Sequence, residues 1–331
     1  GYGLPLVFDH SENPDLWVEV MKQNGNTVLT DAVIGLHKDK CEPFKRKTLL
    51  VKDGPKGESG ALAILRSDPF CEGSTALLKY GTHGMGHGHF DQLGMLFYHN
   101  GNEVFADYGA ARYHNIPQKF GGRYLPENNT WANQTIAHNA LTVDEKSQYG
   151  GDDHLADEHH GADLYFINSD AVKAAAATNN SAYADVNLQR HLATVTLAGI
   201  GTVTLDVNIA QSEKKHQYDL PYHYKGDIVH RTPAVKMSAN APAVLGQANG
   251  YQHLWLRGQT GNIDFAQSTL VNGKSFYTIS TTATKPFAVL WTMTGANDPE
   301  ANLLHQEALI YRSNEMTQTW VSVIEPHGDY N

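Results

Sequence analysis

The chain has little cysteine, no block of positive charge and no long apolar run. Its two cysteines, Cys41 and Cys71, cannot build a disulfide framework and lack metal-ligand spacing, which leaves open one bridge or two buried thiols. Lys and Arg number 25 against 35 Asp and Glu, for a formal charge of −10, and the longest basic run is Lys45-Arg46-Lys47. A nucleic-acid partner needs a basic face that releases counterions, so none is expected. A membrane partner is not expected either, because no stretch approaches the ~20 apolar residues of a spanning helix. The segment Ala171 to Ala177 is small and apolar but far too short. Helix signals are also few. Asn13-Pro14-Asp15, followed by Leu16, Trp17, Val20 and Met21 and closed by Asn24-Gly25, reads as one short capped helix. The opening Gly-Tyr-Gly-Leu-Pro shows no signal peptide and looks processed or truncated.

What the chain does have is period-two patterning and histidine. With 331 residues it can bury a large core. From Thr48 onward, Leu49–Val51, Ala61–Arg66 and Thr75–Tyr80 alternate as strands between Gly, Pro and Asp turns. Gln92–Tyr98 and Glu103–Tyr108 flank Asn100-Gly101, a strong hairpin signal. Further strands are expected at Asn139–Val143, Leu188–Thr196, Gly201–Ile209, His253–Arg257, Ser275–Thr281, Phe287–Thr292, Ala308–Arg312 and Thr319–Ile324. So many short strands predict a mainly β fold, a large antiparallel sandwich. The weak change of texture near Lys45 divides the chain into residues 1–45, a short helical or linker remnant, and 46–331, the sandwich.

Four segments carry chemistry. Thr82-His83-Gly84-Met85-Gly86-His87-Gly88-His89-Phe90-Asp91 is too poor a phosphate loop, because a strand pattern rather than a helix follows it. If extended, it sets His83, Met85, His87 and His89 on one face. The others are Asp107–Tyr113, Gly121–Trp131 and Thr135–Leu141, which overlap a stretch of 109–137 that has no clear period. A loop that long in a compact domain is usually functional. Two weaker groups are His216–Asp219 with Tyr222-His223, which suits a supporting role, and Asp152–His160, an acidic His-rich stretch read as a solvated loop that could also hold a divalent ion.

In the runs HGHFDQL, DYGAARY, GGRYLPENNTWANQTIAHN and HQYDLPYHY, the chain resembles the oligoalginate lyases of polysaccharide lyase family seventeen, within the heparinase II/III-like group. The resemblance implies a zinc ion, mainly structural, on His89, Asp107 and His138. Local pairing does not give this geometry, since a straight hairpin would set Asp107 opposite Gly94. Tyr124 matches the family's catalytic tyrosine and Arg112 a nearby arginine, while His87 is a candidate substrate contact. β-Elimination removes the C5 proton of a uronate and expels the C4 oxygen, so it needs an acid, a base and a group that neutralises the carboxylate. A phenol near pKa 10 suits the acid and, beside a cation, the base.

The implied activity is exolytic cleavage of an acidic oligosaccharide, alginate, in a periplasmic or secreted bacterial enzyme that could be a homo-oligomer. The family places its active site between a sandwich and an N-terminal (α/α) toroid. No toroid fits before Thr48, so the helical half is expected to be a separate portion of the enzyme and this chain alone nearly inactive. Two rivals remain: a lyase for another uronate polymer such as a heparin-like glycosaminoglycan, and a non-catalytic carbohydrate-binding sandwich with a structural metal. The −10 charge disfavours the first. A phenol and a guanidinium on one long loop disfavour the second.

Overall fold

The computed structural model describes residues 45–70, 72–111, 125–199, 201–238, 243–295 and 302–329. The helix expected at 13–24 lies outside them. Arg46–Asn331 forms one compact unit. Its first sheet runs in the order β1 (Leu49–Lys52), β2 (Ala61–Arg66), β3 (Ser74–Lys79), β4 (Gly94–His99) and β5 (Asn102–Phe105). The second contains β6 (Thr142–Val143), β7 (Ala162–Asn168), β8 (Val172–Tyr183), β9 (Val186–Leu197), β10 (Gly201–His223), β11 (Asp227–Thr232), β12 (Trp255–Gln259), β13 (Ile263–Asn272), β14 (Ser275–Thr294) and β15 (Gln306–Asp329). Its order is β11-β13-β14-β15-β10-β9-β8-β7, with β12 on β14 and β6 on β10. Every pairing is antiparallel, as the sandwich expectation requires.

Alternation builds two cores. Between the sheets, Ala63, Leu65, Leu78 and Phe97 meet Leu188, Leu192, Tyr222 and Tyr311. On the far side of the second sheet, Leu290 and Ile310 point the other way and are covered by Tyr108, Trp131, Ile136 and Leu303. This second core is what packs the irregular segment after β5 onto the sandwich. Sequence patterning missed β8, because Ala174–Ala177 have low strand propensity; all four are buried, and their small side chains suit close packing. The strand expected at Asn139–Val143 shrinks to Thr142–Val143, since Asn139 serves another purpose. The strand expected at His253 starts at Trp255, after a tight turn over Tyr251–His253. Within Asp152–His160, expected as a loop, Asp153–Asp157 is a one-turn helix, α1, whose N-cap Asp152 accepts from the Leu155 amide at 3.0 Å.

One buried cation ties the layers together. Arg190 of β9 donates from Nε and Nη2 to Asp206 of β10 at 2.8 and 2.6 Å, and from Nη1 to the carbonyls of Leu93, at 2.8 Å, and Asn139. Tyr222 and Asn208 complete the Asp206 carboxylate, at 2.6 and 3.0 Å. Both charged groups are fully buried, so removing one partner strands the other. Arg190→Met should therefore cost about 3–5 kcal/mol in urea unfolding, and Arg190→Met with Asp206→Leu should regain part of it. A loss under about 1 kcal/mol for the single variant would show that Asp206 does not depend on Arg190.

Candidate functional site

The β4–β5 hairpin turns on Asn100 and Gly101, both left-handed (φ 49° and 77°), as its Asn-Gly signal demands. Its register then slips: Tyr98 faces Glu103, but Phe97 faces Phe105, so Val104 is an extra residue. Beyond this bulge the strands splay and Asn139 fills the gap. Its Nδ2 donates to the carbonyls of Met95 at 2.8 Å and Ala106 at 3.0 Å, its Oδ1 accepts from the His223 amide at 2.6 Å, and its carbonyl accepts from the Met95 amide at 3.1 Å. The splay removes the obstacle that a straight hairpin presented. It sets Asp107, just past β5, against His138, just before Asn139.

His89 arrives from the β3–β4 connection, where the Phe90 amide donates to Asn133 at 3.0 Å. Candidate ligand atoms of His89, Asp107 and His138 all lie within 4.8 Å of one another. His138 Nδ1 is 3.6 Å from Asp107 Oδ1, and the two imidazoles are 5.0 Å apart between centroids. Tetrahedral zinc ligands at ~2.0–2.2 Å from the ion sit about 3.3–3.6 Å from each other; the His138–Asp107 pair has that spacing, and the His89 atom lies within 4.8 Å of both. The tautomer fits as well. His138 Nε2 donates to the Ala132 carbonyl at 3.0 Å, which leaves Nδ1, facing Asp107, as the nitrogen that would ligate a metal once deprotonated.

Burial, with His138 nearby, pushes His89 down to about 4 and favours the neutral, ligating form. Burial opposes charge on the other two, but they hold each other: Asp107 stays well below the usual carboxylate range through His138 and the Gly109 amide, and Asp107 lifts His138. A cavity of about 230 Å³ opens beside the trio, lined by Lys79, Asp91, Asp107, His138 and Asn139 over leucines of β2 to β4. Lys79 Nζ and Asp91 Oδ1 pair there at 2.5 Å.

The extended reading of Thr82–Asp91 is corrected. Met85–His87 form a tight turn, which breaks the alternation: His83 is buried, His87 exposed and His89 half-buried. Arg112 and Tyr124 lie outside the described residues. The groups in β10 assigned a supporting role are hydrogen-bonded into the fold. Asp219 receives Arg312 in bidentate fashion, at 2.7 Å to each oxygen, and the Tyr251 hydroxyl at 2.6 Å, while His216 pairs with Asp144 at 2.7 Å. Sequence reasoning missed Asn139 and Gln92, although both sit in the quoted runs. Gln92 and Gln148 exchange side-chain and backbone hydrogen bonds at 3.0 and 2.8 Å, which anchors the end of the histidine segment.

A two-sheet antiparallel sandwich with a His-Asp-His cluster at the splayed edge defines the class. Residues 50–317 match the family described as heparinase II/III-like, C-terminal, and the chain belongs to that family. It is 40% identical over 340 residues to an exo-oligoalginate lyase of Saccharophagus degradans, covering 100% of this chain and 46% of that protein. It is 42% identical over 299 residues to an alginate lyase of Stenotrophomonas maltophilia, covering 88% of this chain and 40% of that one. The chain thus spans less than half the length of these relatives. Among solved structures, the heparan sulfate lyase HepC of Pedobacter heparinus has a TM-score of 0.60 at 15% identity, covering 96% of this chain and 41% of that one. Heparinase III has 0.52 at 14%, covering 82% and 36%. These two likenesses show the fold.

Protein purified without chelator should carry one zinc per chain. His138→Ala should lose the metal and melt several degrees lower, because metal binding energy is folding energy. Elemental analysis and thermal scans check both; a zinc-free wild type, or an unchanged melting temperature, would remove these residues as a metal centre.

Proposed function

We propose that this chain is the sandwich portion of a lyase that cleaves alginate oligosaccharides exolytically by β-elimination, giving an unsaturated uronate. The observation that carries the reading is 40% identity over the whole chain to an enzyme named as an exo-oligoalginate lyase. The clustering of the three residues assigned to zinc supports it independently. A glycosaminoglycan substrate is the second reading, and the −10 charge weighs against it, since sulfated sugars call for many cations.

A bound zinc would supply a structural cross-link between the β3–β4 connection, the end of β5 and the segment before β6. This chain's own residues then divide the work. His89, Asp107 and His138 fix the platform. Arg112 binds a sugar carboxylate or lowers the pKa of Tyr124, whose phenol protonates the departing C4 oxygen or takes the C5 proton. His87, exposed on its turn, contacts the substrate. The C5–H and C4–O bonds break as the C4–C5 double bond forms, so charge builds on the C5 carboxylate. Its neutralisation is usually the largest catalytic contribution, and we assign it to an N-terminal helical portion of the enzyme. We place that enzyme in the periplasm or outside the cell, where polymeric alginate is met.

The test is a panel of uronate polymers and oligomers, followed by ultraviolet absorbance of the new double bond and by product size. Alginate oligomers should be trimmed to unsaturated monouronate when the helical portion is present, and hardly at all by residues 1–331 alone. In the complete enzyme Tyr124→Phe should lower kcat by at least about 10²-fold with the fold intact. Turnover confined to heparin-like polymers would overturn the alginate reading; near-normal turnover by Tyr124→Phe would remove Tyr124 from the chemistry.

A further inference from the structure

His83 is only 4% exposed, yet neither ring nitrogen has a hydrogen-bond partner. Buried orphans of this kind are rare, and each asks for a reason. What surrounds the ring is the turn that presents His87 and His89. Phe90 packs against it, with ring centroids 4.8 Å apart. Gly88, between the two presented histidines, lies so close that a Cβ there would meet His83 Nδ1 at 2.6 Å and the His83 carbonyl oxygen at 1.8 Å. The connection therefore curls around His83 as a peg, and only glycine permits the closest approach.

The peg is gripped from outside. The His83 amide donates to the Ala156 carbonyl of α1 at 3.4 Å. Asp157, the last residue of α1, accepts from the Gly84 amide at 3.0 Å and stands 3.8 Å from His83 Nδ1. Gly84 is left-handed (φ 95°), so this bond holds the chain at the point where it reverses into the turn. Beyond α1, the His159 carbonyl accepts from Gln92 at 2.9 Å and the Gly161 amide donates to Tyr80 at 2.9 Å, which moors the segment after the helix to the first sheet.

We propose that Asp157 and His83 form a clamp, with Asp157 a positioning residue that sets the turn carrying His87 and His89. Its functional side rests on the reading of those two histidines as substrate-facing and metal-binding. Its structural side does not, and the experiment separates the two. Asp157→Ala removes the acceptor for Gly84, whereas Asp157→Asn keeps an acceptor of the same shape.

By hydrogen exchange on the 331-residue chain, Asp157→Ala should speed amide exchange across residues 83–90 by about tenfold while β8 and β9 stay as in the wild type; Asp157→Asn should stay close to wild type. In the complete enzyme Asp157→Ala should raise KM and lower kcat/KM about tenfold, and Asp157→Asn should restore both. Unchanged exchange in Asp157→Ala, or equal acceleration in Asp157→Asn, overturns the clamp. A wild-type enzyme with no uronate turnover counts instead against the lyase reading, and the exchange comparison still decides the clamp.

Discussion

The side chain of Asn139 is the interaction on which the site depends. A hairpin that widens after a bulge leaves backbone donors and acceptors facing each other across a gap, and buried groups of that kind are costly unless paired. Asn139 serves both edges of the gap, at Met95 and Ala106, and reaches a third strand through the His223 amide. Few side chains could replace it, because the position needs two donors and an acceptor in one plane. With the gap closed in this way, the residues flanking Asn139 and Ala106, namely His138 and Asp107, have little freedom left.

The Arg190 network extends the same constraint. Its guanidinium divides between a carboxylate in the second sheet and two carbonyls beside the site, those of Leu93 and Asn139. A charge buried in this manner contributes little net stability compared with an apolar core, but here it joins four separate acceptors that would each lose a hydrogen bond without it. The first core sets how the sheets stack, the second holds down the irregular segment after β5, and Arg190 fixes where one sheet stands on the other.

The sandwich was legible because alternation is a local signal that burial of one face enforces. The Asn100-Gly101 turn was legible for the same reason, being local. The alanine strand was not, as small residues carry no alternation of size. The His-Asp-His cluster could be named only through the family resemblance. Its geometry turns on one extra residue at Val104 and on an asparagine more than thirty positions away, and neither leaves a periodic trace. His83 was visible as one of several histidines, but its inward placement depends on the turn at Met85–His87, which the extended reading did not contain.

The run Ala174–Ala177 has a consequence for how this fold can vary. The methyl groups of Ala175 and Ala177, which enter the core between the sheets, act as a spacer that limits how near β8 can come to the layer above it. In a lineage accumulating substitutions, larger residues in this strand would lift one sheet from the other, and the displacement would reach Leu93 and Asn139 through the shared guanidinium of Arg190. Sequence drift in a strand with no chemistry of its own is thereby coupled to the geometry of the His89, Asp107 and His138 cluster.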